Sequence, residues 1–134
     1  MASAVRRVGF GLLGVLNLVW GGWAYLAPRH FFDTFPGFGH HWTGGYPPYN
    51  EHLVKDVGAT FAMMAALLLV AAVLDDRRVS AVVVLGVGLF SLLHLGFHAT
   101  HQGLLGSGDY VASLVALIAG VVLPVALLAT YRRR

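Results

Sequence analysis

Histidines recur at positions 94, 98 and 101 in the stretch His94-Leu-Gly-Phe-His98-Ala-Thr-His101. On a helix, spacings of four and seven bring the three imidazoles onto one face. A second ionisable group, Glu51-His52-Leu-Val-Lys55-Asp56, sets His52 and Asp56 four residues apart, again on a shared face, with Lys55 at its edge. Neutral imidazole binds zinc, copper, iron and nickel, and a carboxylate serves as a ligand or as the acceptor that orients a ligating histidine. The candidate ligands are therefore His52, Asp56, His94, His98 and His101, supported by Glu51, Lys55 and Ser91. A first-row transition metal or haem is the cofactor this set could hold. Haem asks for two opposed axial ligands and room for the macrocycle, and no haem-attachment motif is present. Cysteine is absent, which removes thiolate ligands and disulfides.

A second reading needs no cofactor. Histidines at the wet end of a bundle can hydrogen-bond one another, Asp56, water or backbone, at far less cost than at a bilayer midplane. Lys55 suits both readings, as a counter-charge to Asp56 or as a charge that repels a bound cation. Ser91 beside His94 resembles a nucleophile and base by adjacency alone, with no orienting acid or oxyanion donor, so no catalytic residue is assigned.

The elements that position these groups are set by composition. The 134 residues are 57% hydrophobic and 11% charged, with a mean hydropathy of +0.72, against roughly 25% charged in soluble domains. Apolar blocks of about 20 residues match a hydrocarbon core about 30 Å thick. The sequence predicts an all-α polytopic membrane protein: one four-helix transmembrane domain with helices at about residues 6–27, 50–74, 79–100 and 109–131, and an aromatic outer loop at 28–49. The first block exceeds a secretory h-region of about 7–15 residues and lacks a good cleavage site, so it is expected to be retained. Glycines at 9, 11, 14, 21 and 22 suit it to close helix packing, as do Gly58, Ala62 and Ala66 in the second helix and Ala112, Ala116, Gly120 and Pro124 in the fourth. Asn17 reads as polar glue between helices. Asn50 is a good N-cap and Asp109 starts the fourth helix. Loop aromatics between Phe31 and Tyr49 are expected in the headgroup region or capping the bundle, with His40 and His41 solvated among them.

Arg6, Arg7, Arg77, Arg78, Arg132, Arg133 and Arg134 fall on one side of this arrangement, Arg29 and Lys55 on the other. The positive-inside rule then puts both termini and the Asp75–Arg78 turn in the cytoplasm and the histidine cluster outside. Grouped arginines beside apolar blocks orient a chain in a membrane and do not form a nucleic-acid surface. A short turn at Asp76–Arg77 makes the second and third helices an antiparallel hairpin, in which residues at equal depth have numbers summing to about 153. His52 is thus expected level with His101, His98 beside Lys55 and Asp56, and His94 a turn deeper, forming one outward-facing pocket.

The motif Gly22-Trp-Ala-Tyr-Leu-Ala-Pro28 with Phe31-Phe32, followed by Asn50-Glu-His-Leu-Val-Lys-Asp56-Val-Gly-Ala59, resembles the DoxX-like bacterial four-helix membrane proteins over roughly the first half of the chain. The resemblance implies a small bundle in the bacterial cytoplasmic (inner) membrane, with some relatives associated with quinone-linked redox complexes. The histidine-rich third helix has no counterpart in that pattern. Three function classes follow: a membrane protein holding a metal or redox cofactor in the outward His/acid pocket; a structural or interaction subunit without a cofactor; and an oligomeric transporter or pH sensor. The expected partners are the lipid bilayer and either further copies of the chain or a membrane complex.

Overall fold

The computed structural model describes residues 1–131, so Arg132, Arg133 and Arg134 of the charge count lie outside it. The order is α1 (Ala2–Leu26), α2 (Pro28–Thr34), β1 (Pro36–Gly37), β2 (His40–His41), α3 (Glu51–Leu74), α4 (Arg77–Thr100) and α5 (Ser107–Ala129). The four longer helices are each long and apolar enough to cross a membrane. The stretch 28–49 is not wholly irregular. Pro28 ends α1 and opens α2 from its first position, where its missing N–H costs nothing and its φ is already helical. A two-residue antiparallel ladder then pairs Pro36 with His41 and Gly37 with His40.

Caps fix the helix starts. The Asn50 side chain accepts from Leu53 N at 3.2 Å, and Asp76 accepts from Arg78 N and Val79 N, both at 2.9 Å. Asp76 therefore starts α4 two residues before the expected Val79. Asp109 does not start α5, which begins at Ser107 after Gly106.

The core lies in the half of the bundle next to the α3–α4 turn. Phe10, Met64, Leu68, Ala71, Ala72, Val83, Val84 and Val87 are buried together, and Leu127 and Leu128 of α5 pack against them. Over the bundle as a whole the most extensive pairings are α1 along α3 and α4 along α5. Glycines make the first pairing close. A Cβ on Gly21 would lie 2.7 Å from Ala62 N and 2.8 Å from Gly58 O; one on Gly58 would lie 2.7 Å from Tyr25 N. Backbone meets backbone here because neither residue has a side chain to hold it off. The α5 stripe is only partly used: Pro124 is buried, but Ala112 and Ala116 are exposed. Asn17 bonds within its own helix, Nδ2 to Leu13 O at 2.9 Å.

Candidate functional site

The level arithmetic for the hairpin is close: Phe61 of α3 meets Phe90 of α4 with ring centroids 6.2 Å apart, and their numbers sum to 151. The side of α3 that faces α4 is the one carrying Phe61. At about 100° per residue, Asp56 lies about 140° and His52 about 180° around the helix from it. Consistent with this, His52 and Asp56 are largely exposed and pair with each other, Nε2 to Oδ2 at 3.3 Å, while Lys55 Nζ reaches Glu51 Oε1 at 2.8 Å. Among the described residues no hydrogen bond or ion pair joins these α3 groups to the α4 histidines. Nor are three His, Asp or Glu side chains grouped to hold one ion.

The α4 histidines have acquired other neighbours. His94 is half-buried, stacked on Phe90 at 5.5 Å and edge-on to His98 at 4.6 Å. Ser91 is half-buried one turn below. His98 is met by the loop residue Tyr46, with ring centroids 4.8 Å apart and Nδ1 2.9 Å from the phenol oxygen. His101 turns away to the surface, stacking on Phe97 at 4.4 Å with Nδ1 3.0 Å from Phe97 O.

The proton positions around Tyr46 follow from its partners. Its hydroxyl lies 2.8 Å from His101 O, and a carbonyl oxygen can only accept, so the single phenol proton goes there. The phenol oxygen is then an acceptor towards His98, whose Nδ1 must carry the hydrogen. His98 is thereby set as the tautomer with a lone pair on Nε2, the nitrogen left for a ligand. Burial raises the Tyr46 hydroxyl above the ordinary phenol range, with a smaller contribution from Tyr110, so it stays neutral.

The turn after α4 holds Tyr46 in place. Leu104 N donates to Gly45 O at 2.8 Å, and Gly103, at φ +63°, comes so near that a Cβ on it would lie 2.5 Å from Gly45 O. Only glycine suits both that conformation and that approach. Tyr110 OH adds bonds to His98 O and Ala99 O at 3.0 and 3.1 Å. The loop is also fastened to α5, where Asp109 Oδ1 receives His40 Nδ1 at 2.6 Å and Trp42 Nε1 at 3.2 Å. His41 Nδ1 bonds the Asp33 carbonyl. His40 and His41 are therefore engaged in holding the loop, in place of the free solvation expected for them.

At the turn end, Asp75 closes a second polar cluster. Its carboxylate accepts from Ser3 Oγ at 2.5 Å, Arg6 Nε at 2.6 Å, Arg6 Nη2 at 3.0 Å and Tyr131 OH at 2.9 Å. Ser80, fully buried, lies 2.9 Å from the same Tyr131 hydroxyl. The Arg6 guanidinium holds the Asp75 carboxyl well below the usual carboxylate range, and burial raises the Tyr131 hydroxyl. Arg7 Nη1 bonds the carbonyls of Val73 at 2.6 Å and Ala72 at 3.3 Å in the last turn of α3. In sequence Arg6 and Arg7 read as orienting charges only; here they also tie α1 to the end of α3. The acid beside them was visible, but not which of two adjacent aspartates would turn inward.

No protein-family model, curated protein or solved structure matches the chain.

Proposed function

We propose that this chain is a multi-pass protein of the bacterial cytoplasmic membrane that binds a first-row transition metal through His94 and His98, on the extracytoplasmic side. Four helices of membrane-spanning length and the arginines at positions 6, 7, 77 and 78 support the membrane reading and its orientation. The DoxX-like motifs of the first half support placing it in the inner membrane of a bacterium.

One observation carries the metal reading: the Tyr46–His98 hydrogen bond, which orients one imidazole with its ligand nitrogen free. Histidines four residues apart on one helix face are suited to a shared cation. The polar partner on the far ring nitrogen is what ligating histidines commonly have. Two imidazoles leave further coordination positions to water, a small molecule or a neighbouring subunit, so the site suits a component of a larger assembly. His52, Asp56 and His101 are peripheral to it.

A second reading, a structural or interaction subunit, is favoured by the small-residue stripe of α5, where Ala112 and Ala116 stand exposed for a partner helix. Titration of purified protein in lipid nanodiscs with Ni2+ and Zn2+, followed by gel filtration and metal analysis, separates the two. The metal reading expects retention by the wild type and by His52→Ala/Asp56→Ala, and loss in His94→Ala/His98→Ala. Equal retention in all three would sink it.

A further inference from the structure

Among the loop aromatics, Phe38 alone packs on none of the described residues. Phe31 is buried, Phe35 packs on Trp20, Trp23 and Trp42, Phe32 meets Tyr49, and Tyr46 covers His98. Phe38 sits at the tip of the β1–β2 hairpin, fully exposed at 101%, with φ +57° between Gly37 at +98° and Gly39 at +86°. A bulky side chain in that left-handed region is disfavoured, and among the described residues no contact offsets it. The tip is nonetheless firmly placed. Trp42 N donates to Phe35 O at 2.7 Å across the hairpin base, His40 and Trp42 are bonded to Asp109, and His41 to the Asp33 carbonyl.

We propose that Phe38 is a membrane anchor: the hairpin tip inserts its ring into the interfacial layer of the lipid leaflet around the loop end of the bundle. This rests on the membrane reading above. Helix α1, at 25 residues, is about 37 Å long, so centred on a hydrocarbon core about 30 Å thick it extends about 4 Å beyond each boundary. Trp20, which Phe35 touches edge-on with centroids 5.5 Å apart, lies about 9 Å below the Leu26 end. The hairpin therefore starts near the boundary between hydrocarbon and headgroups, the depth at which aromatic side chains gather. From Phe35 to Gly39 the segment carries no charged or polar side chain. Phe38, three residues beyond Phe35, stays within about 10 Å of that depth, where an apolar ring clear of the protein fits lipid better than water.

Because the chain has no cysteine, Phe38→Cys gives a unique site for a nitroxide label. In phosphatidylcholine–phosphatidylglycerol vesicles, its collisions with oxygen and with a water-soluble nickel chelate are compared with those of Leu89→Cys and Val115→Cys, exposed positions in the middle of α4 and α5. The expected result is oxygen favoured over the chelate at all three positions, least strongly at 38. A water-like ratio at 38 with lipid-like ratios at 89 and 115 overturns the anchor and leaves the membrane reading intact. Shielding of position 38 from both reagents also overturns it, in favour of a protein partner. Water-like ratios at 89 and 115 remove the membrane reading and the anchor with it. As a check that keeps an aromatic ring at the tip, Phe38→Trp should add fluorescence that lipids brominated near the headgroup quench more than lipids brominated near the chain end. Absence of such quenching counts against the anchor.

Discussion

Two adjacent glycines on α1 offer a sharp test of how the bundle is held. Gly21 faces α3, where an added Cβ would meet Ala62 N at 2.7 Å and Gly58 O at 2.8 Å; a Cβ on Gly22 would meet nothing within 4 Å among the described residues. Real carbon contacts need more than 3.4 Å for comfort, so Gly21→Ala must push α1 and α3 apart by somewhat under about 1 Å. Backbone supplies both obstructing atoms, so no rotamer change relieves the clash. A gap of 0.5–1 Å forfeits roughly a quarter to a half of each affected dispersion contact, and overpacking of this kind costs about 1–3 kcal/mol. The gain in helix propensity from Gly to Ala, up to about 1 kcal/mol, offsets part of it. The expected net loss is therefore about 1–2 kcal/mol for Gly21→Ala, and similar for Gly58→Ala, whose Cβ would lie 2.7 Å from Tyr25 N. Gly22→Ala should be neutral or slightly stabilising. The Gly21→Ala/Gly58→Ala double variant should cost clearly less than the sum, since one separation relieves both clashes. Denaturation of detergent-solubilised protein, followed by the combined fluorescence of Trp20, Trp23 and Trp42, measures all four. If Gly22→Ala is as harmful as Gly21→Ala, or the two clashes add fully, close α1–α3 contact at this point is refuted.

Other outcomes follow from the two polar clusters. Tyr46→Phe removes the acceptor for His98 Nδ1–H and should weaken metal retention about 10–100-fold by calorimetry in nanodiscs, with little change in fold; unchanged affinity would reject the orienting role. Asp75→Asn leaves Arg6, itself only 12% exposed, without its counter-charge. It should destabilise the protein by about 2–3 kcal/mol at neutral pH, at or below the lower end for a broken buried pair because the cluster sits at the bundle end. The Asp75 carboxyl is depressed by Arg6 in the folded state, so its stabilisation is complete above the unfolded value near about pH 4 and is lost progressively as pH falls below it. Thermal melts from pH 7 to 3 should show that acid-side loss reduced in Asp75→Asn; identical slopes in both proteins would contradict it. Finally, an impermeant maleimide applied to spheroplasts should label Ser107→Cys, and should label Arg77→Cys only after the membrane is opened. The reverse pattern would invert the assigned orientation.

The sequence by itself determined the four long helices and their levels. Blocks of apolar residues of membrane-spanning length are a property of local composition. Asn50 caps α3 through its own side chain, and a two-residue turn at Asp75–Asp76 sets Phe61 opposite Phe90 by rise per residue alone. Periodicity also put His94 and His98 on one face correctly. It could not say which face of α3 that pair would meet. That was decided by contacts distant in sequence: Gly21 against Gly58 fixes α3 on α1, and Phe61 is the side turned to α4, which leaves His52 and Asp56 on the far side. The same holds for Tyr46, whose place over His98 depends on Gly103 closing on Gly45 across more than fifty residues, and for Asp75, chemically identical to Asp76 until Arg6 of α1 arrives beside it. Helical phase is encoded locally, whereas the neighbour that a face meets depends on which backbones can approach closely, and only the packed chain settles that.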